Sequence, residues 1–498
     1  MPGRVRPLAV IGLLVTVGAG LAQSAVSAPL GTERARSFLT RVGFAPSTVE
    51  VERMAPLTQP QAVEQVLREA VTRAATSPPG WIDQKLLTAR ELRALGEAER
   101  MAEQRERVRQ GFELRGWWLR EMVATPSPLT ERMTLFWHNH FVSAQPKVRY
   151  AQPMFRQNVL LREYALGSFG DLLHAVARDP AMLLYLDGVQ NRRGQPNENF
   201  AREVMELFTV GPGRYTEADV KEAARAFTGW SLDPERFGFV FRRGLHDEGE
   251  KTVLGRTGLL TGGDVLDLLL AQPSTAEFIT AKLWREFVSP QPDAARLDSV
   301  AAAFRNSGYD IRTALRLLLN QPELVAPQPE QWLVKSPVEL LVGLVRQSGG
   351  RLEQPIGAAL AAAQMGQNLF AAPSVRGWPG GEAWINTQTL LARRQFIERA
   401  LHRPGLTVSD VPAINAEAGA EQVRRRLEVA VERAVRVDGA GWLTAAAALA
   451  PERPASAEDL QRLAASLGAV PAVGLPPAGS LSLDALRSLL LDPAYQLK

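Results

Sequence analysis

Two glutamates three residues apart and two histidines two apart hold the densest candidate chemistry in this chain. Glu203 and Glu206 lie in Asn197-Glu198-Asn199-Phe200-Ala201-Arg202-Glu203-Val204-Met205-Glu206. On a helix this spacing makes them neighbours along one side. At about 100° per residue, Phe200, Val204, Leu207 and Phe208 form an apolar stripe, and Asn199, Glu203 and Glu206 flank its edge. Like charges held together disfavour double ionisation, so one carboxyl of such a pair serves as an acid or as a metal ligand. The plainer reading pairs Glu206 with Arg202, and Glu203 with Asn199 or another helix. Glu-x-x-Glu is common enough in ordinary helices that spacing leaves both readings open.

His138 and His140, in Trp137-His138-Asn139-His140-Phe141, are residue types that ligate metals. A helix from Leu129 places Met133, Phe136 and His140 on its apolar side and turns His138 almost opposite, near Thr134. The two rings share one ion only if that helix ends around Trp137. The expectation is therefore a buried His140 bonded to a carboxylate or carbonyl, a His138 nearer the surface or a cleft, and Asn139 bridging elements. His246-Asp247 follows two arginines in an irregular stretch. There an exposed loop histidine is the simplest explanation. The chain has only five histidines, and four fall between 138 and 246. A site built from them would take Glu203, Glu206 and His246 as catalytic groups. It would draw its metal ligands from His138, His140, Glu203, Glu206, His246 and Asp247. Imidazoles with two carboxylates suit a divalent metal that activates water.

The elements that must position these residues are helices. Apolar residues recur at three and four positions, separated by Pro and Gly turns. Helices are expected from Thr32 to near Gly43, over 60–75, and over 83–122 with a break near Gly111 or Gly116. Further helices are expected over 129–141, 153–165, 168–178, 197–208, 216–228, 263–271, 274–287, 293–306 and 310–319. Pro196-Asn197 reads as a helix start. Thr216 with Asp219 reads as a near capping box, Glu222 as a partner for Arg225, and Trp230 as an anchor after Gly229. Leu268-Leu269-Leu270-Ala271-Gln272-Pro273 resembles Leu317-Leu318-Leu319-Asn320-Gln321-Pro322, an apolar helix stopped by a turn. Segments 232–262 and 365–386 read as irregular excursions, and Phe237–Phe241 as a short strand. The fold class is mainly α: a large irregular multi-helix domain with Pro/Gly-rich loops and one small β-hairpin. A main helical domain is expected over 29–402, with a C-terminal helical section over 403–498 packed on it. Residues 403–417, 450–457 and 468–480 read as linkers.

Arg4 and Arg6, the apolar run Leu8–Leu21 and the small residues after it read as a signal peptide over 1–25. Export to the periplasm, envelope or exterior is the expectation, with no stable transmembrane segment after cleavage. Cysteine is absent, which removes thiolate metal sites, thiol nucleophiles and redox motifs. A formal charge of +4, less Arg4 and Arg6, leaves +2, which argues against nucleic acid as a partner. No Gly-x-Ser-x-Gly elbow, phosphate loop, His-Glu-x-x-His helix or dinucleotide fingerprint is present.

The same stretches carry a family resemblance. Phe136-Trp137-His138-Asn139-His140-Phe141, Leu161–Phe169, Asp179–Asp187, Asn197–Glu203 running into Glu206-Leu207-Phe208-Thr209, Tyr215–Val220 and Phe227-Thr228-Gly229-Trp230 resemble the large bacterial domain-of-unknown-function family numbered 1800. His246-Asp247 with Lys251-Thr252 and Leu254-Gly255 fits the same pattern. The resemblance runs from about Ala35 to Tyr495. It implies an exported helical body, and an envelope or secreted partner such as a phosphatase- or sulfatase-like protein. Two functions follow. One is a non-enzymatic envelope or extracellular assembly and binding protein, with Trp378 and Trp384 at a cleft or interface. The other is a secreted metal- or carboxylate-dependent hydrolase around Glu203, Glu206, His140 and His246.

Overall fold

Short polar residues start most of the helices. Ser47, Thr58, Thr88, Thr216, Thr261, Ser336 and Ser456 each close a capping box with the residue three positions on. Asp179, Asp293 and Asp310 cap through a single side-chain acceptor. Such caps satisfy first-turn N–H groups that have no partner inside the helix, so short helices hold between turns. The computed structural model describes residues 28–401, 420–439, 441–443, 456–477 and 481–498. The expected signal peptide, the 403–417 linker and most of the 450–457 linker lie outside the described residues.

The N-terminal part comprises α1 (Gly31–Val42), α2 (Thr48–Met54), α3 (Gln59–Arg68) and α4 (Ala89–Ala94). The 28-residue α5 (Glu97–Ala124) follows, then α6 (Pro128–His140), α7 (Gln145–Val148), α8 (Ala151–Glu163), α9 (Phe169–Ala177) and α10 (Pro180–Tyr185). The expected break at Gly111 or Gly116 does not occur; the chain breaks earlier, at Leu95 and Gly96. A Cβ on Gly111 would overlap the Gln145 side chain, and one on Gly116 would press on Pro355 and Ile356. These glycines serve close approach inside a continuous helix, at a propensity cost of about 1 kcal/mol each.

Next come α11 (Asn199–Glu203), continued by a π-helical turn over Val204–Phe208, and α12 (Glu217–Ala226). The excursion after it holds two hairpins where one was expected. β1 (Trp230–Leu232) pairs antiparallel with β2 (Phe239–Phe241), Trp230 opposite Phe241. β3 (Lys251–Val253) pairs with β4 (Arg256–Gly258). The Leu-Leu-Leu segments end α13 (Gly262–Ala271) and α16 (Ile311–Leu319), which flank α14 (Pro273–Phe287) and α15 (Ala294–Asn306). α14, α15 and α16 pack on one another, and α16 also meets α3.

α17 (Pro337–Gln347) and α18 (Pro355–Gln364) lie against α5, with β5 (Arg351–Leu352) between them. α19 (Thr387–Leu401), α20 (Ala420–Glu432), α21 (Ala457–Leu467) and α22 (Leu483–Leu490) complete the helices described. The last of these sections touches the rest at several places. α20 packs on α18, β6 (Val435–Arg436) pairs with β5, and Leu497 bridges Val334. The fold is mainly α, an irregular multi-helix arrangement whose β structure, among the described residues, is confined to small two-stranded pairs.

Its core contains charges as well as Trp117, Trp118, Trp137 and Trp284. Arg162 pairs with Glu131, whose Oε2 also accepts from Trp118 Nε1 at 2.9 Å. Arg132 bridges Glu286 and Glu339, and Glu339 also pairs with Lys498. Burying an ion is costly unless it is paired, and each of these ions has an opposite charge beside it.

Candidate functional site

α6 is buried on nearly every side, so both histidines are enclosed. His138 is 1% exposed and sits among the rings of Trp118, Phe370 and Trp378. Its Nε2 accepts the Phe370 N–H at 3.3 Å. The expectation of a His138 near the surface fails because the 365–386 segment folds over that side of α6. Burial, with Arg115 nearby, pushes the His138 imidazole down to about 3.

His140 faces the other way, as the helical phase predicts. Its Nε2 lies 3.2 Å from the Phe208 carbonyl and its Nδ1 3.0 Å from Lys282 Nζ. The carbonyl can only accept and the ammonium can only donate, so Nε2 carries the proton. Burial and the adjacent Lys282 hold His140 well below the usual imidazole range. Lys282 also donates to the Leu207 carbonyl at 3.0 Å, and burial pushes it down to about 8. Asn139 bridges elements as expected, accepting the Trp378 N–H at 2.7 Å. Gly377, at φ 81°, lies against Asn139 where a Cβ would overlap it.

The carbonyls of Leu207 and Phe208 that meet Lys282 and His140 belong to the π turn. Wider turns of this kind leave carbonyls free of the i→i+4 pattern and are frequent at functional sites. The turn also sets the carboxylates. Glu206 Oε2 accepts from the Tyr215 hydroxyl at 3.0 Å and Oε1 from Arg376 Nη2 at 2.9 Å. The Glu206–Arg202 pair is not made; Arg202 turns to Glu198 and to Glu217 instead. Glu203 is half-buried and, among the described residues, accepts no hydrogen bond, Asn199 included. Its burial, reinforced by the Glu206 charge, raises the Glu203 carboxyl against the pull of Arg376 and Arg202. Burial and the bond to Glu206 push the Tyr215 hydroxyl up to about 12.

His246 and Asp247 form a separate cluster. His246 Nδ1 lies 2.8 Å from the Thr228 carbonyl, and its ring meets Phe241 edge-on. Asp247 pairs with Arg225, which also holds Glu222 as expected. The guanidinium draws the Asp247 carboxyl down to about 2. Lys251 ties the loop by donating to the carbonyls of Asp247 and Gly249. The structure thus brings Glu203 and Glu206 together, encloses His138 and His140 on different sides of α6, and holds Asp247 on α12 and His246 on the turn that follows it. Among the described residues, no three His, Asp or Glu side chains gather so as to hold a metal ion.

Of the two helix starts expected here, the one at Thr216 holds as read. Thr216 and Asp219 close their box. Asn197 sits one residue further out than expected, its Oδ1 accepting the Asn199 N–H, while Asn191 Oδ1 accepts the Asn197 N–H. Sequence reasoning missed Lys282 and Arg376. For Lys282 a signal exists: it adjoins the Ile279–Leu283 stripe of α14, where a lysine stem is drawn inward.

Most of this chain matches one family model, described as protein of unknown function (DUF1800), over residues 37–497. No curated protein and no solved structure matches it.

Proposed function

The chain belongs to the DUF1800 family, and from that premise we propose that it is an exported, non-enzymatic assembly or binding protein of the cell envelope or exterior. One observation carries this reading: the polar motifs are engaged internally. His140 grips the π turn, His138 and Asn139 hold the 370–378 segment, and Asp247 clamps α12. A site for a diffusing substrate needs convergent groups left free in a cleft, whereas these groups fasten loops to helices. Irregular surfaces fixed in this way are suited to a partner. The apolar run after Arg4 and Arg6 supports export. No helix among the described residues is long and apolar enough to cross a membrane. The partner proposed is a phosphatase- or sulfatase-like envelope protein. Native envelope fractions, affinity-purified on the full chain and reconstituted from purified components, test it. A stoichiometric complex is expected; a strictly monomeric chain that retains no such protein overturns the reading.

A second reading rests on Glu203. This carboxyl has no hydrogen-bonding partner among the described residues, is raised by burial, and adjoins Glu206, which is held by Tyr215 and Arg376. A raised carboxyl beside a second one is the arrangement used by carboxylate-dependent hydrolases. Chromogenic phosphate, sulfate, carboxylate and glycosidic esters provide the assay, with elemental analysis for a divalent metal. Under this reading, E203Q lowers turnover by about a hundredfold or more at unchanged melting temperature, the scale of one general acid. No turnover of any ester by the parent chain rejects it.

A further inference from the structure

An open cleft of about 680 Å³ lies between α5, α7 and α18. That volume matches a small organic ligand. Its walls differ in chemistry. Val108, Phe112, Pro146 and Leu360 supply apolar surface, while Arg107, Arg115 and Arg149 face the same space with no acidic side chain among the lining.

Arg115 is the unusual member. It is largely buried, yet every acceptor it meets is neutral: Asn368 Oδ1 at 2.9 Å, the Gly111 carbonyl at 2.6 Å and Gln145 Oε1 at 2.7 Å. A buried guanidinium without a counterion is costly: Arg132 and Arg162 have carboxylates, and Arg393, which also meets only neutral acceptors, does not line this cleft. Three neutral acceptors hold Arg115 in one orientation and leave its Nη2 without a partner among the described residues. Gly111 is part of the construction, because any Cβ there would displace Gln145. Arg107 is half-committed, to Glu103 at 2.8 Å and to the Tyr150 hydroxyl and ring. Arg149 is exposed, makes no ion pair among the described residues, and keeps a left-handed φ of 72° that glycine or asparagine adopts at lower cost.

We propose that this cleft binds a small organic oxyanion with an apolar body, its phosphate, sulfate or carboxylate group seated on Arg115 and Arg149. A planar guanidinium suits such groups through paired N–H donors, and the Phe112 side takes the apolar part. The inference is independent of export and of the proposed partner, since none of His138, Asn139, His140 and Asp247 lines this cleft.

Calorimetric titration of the full chain tests it. The probes are phenyl phosphate, phenyl sulfate, benzoate, inorganic phosphate and phenol. At least one aromatic anion is expected to saturate a single site at least tenfold more tightly than inorganic phosphate, with phenol not bound; the preferred head group identifies the ligand class. R115Q is expected to weaken binding at least tenfold. Because Arg115 also ties α5 to Gln145 and Asn368, two further variants leave those bonds intact. R149N should weaken binding at least threefold while its melting temperature equals or exceeds the parent's. A363W should block the cleft without removing charge and abolish binding. Failure of all three aromatic anions to saturate overturns the proposal. So does inorganic phosphate binding as tightly as they do, or affinity unchanged in both R149N and A363W.

Discussion

Enclosing two imidazoles has a thermodynamic consequence that follows from proton counting. His138 titrates near 3 in the folded chain against its ordinary 6.5, and His140 is depressed as well. Between about pH 3 and 6.5 the unfolded chain therefore binds more protons, and stability falls as pH is lowered through that window. For His138 the expected loss is on the order of 3 kcal/mol by pH 4, and His140 adds to it in the same direction. Asp179 acts with the opposite sign. Burial raises its carboxyl from 3.8 to about 7, against bonds from Met182 N–H and Gln157. The folded state then binds more protons between those values, so this group's contribution is lost as pH rises toward 7. Urea denaturation from pH 4 to 8 separates the two. H140Q should flatten the acid-side slope, and D179N, which keeps the cap oxygen, should remove the opposing one. An unchanged acid-side slope in H140Q would mean that the ring is protonated in the folded chain.

At the scale of elements, local patterns were legible and remote contacts were not. The cap at Thr216 and the stripe of α6 have short-range causes, and the bounds of those helices followed from them within a few residues, whereas the helix expected over 60–75 ends at Arg68. The α6 phase also separated His138 from His140. Gly111 and Gly116 misled because glycine was read through its propensity, whereas their partners, Gln145 and Pro355, are remote in the chain. The Glu206–Arg376 and His140–Lys282 bonds span 170 and 142 residues, and no spacing rule reaches that far. The π turn was invisible for a related reason: its displaced carbonyls are used by Lys282 and His140, which arrive from elsewhere. The same logic gives a prediction at Gly357, where α18 touches the backbone of α20. A Cβ there would overlap the Ala430 carbonyl, a group that cannot rotate aside. G357A should destabilise by about 1–3 kcal/mol despite alanine's better helix propensity. It should also speed proteolysis within 420–432. Cleavage and melting unchanged from the parent would show that the two helices can separate without cost.

The whole molecule is joined at a buried ionic junction. Arg132 comes from α6, Glu286 from α14, Glu339 from α17 and Lys498 from the last residue, and all four meet. Around them Arg41 donates to the Lys498 carbonyl at 3.2 Å, Lys335 to the Tyr495 carbonyl at 2.8 Å, and Arg393 to Gln496 at 3.0 Å. Residues 495–498 are thus held by groups from residues 41, 335 and 393 and from the four-way junction. From this we propose that 403–498 folds as one cooperative unit with 29–402. The junction is rich in cations, which makes its two glutamates unequal to its lysine. Removing Glu339 leaves Arg132 and Lys498 buried with too little negative charge, a loss of about 3–5 kcal/mol. Removing the Lys498 charge leaves Arg132 still paired to both glutamates and relieves crowding among cations, so K498M should cost far less than E339Q. Calorimetric unfolding reads both quantities. The parent and K498M should each melt in a single transition, with E339Q lower by several degrees. Two separated transitions in the parent would overturn the cooperative unit, and equal losses in the two variants would show that the glutamate does not carry the junction.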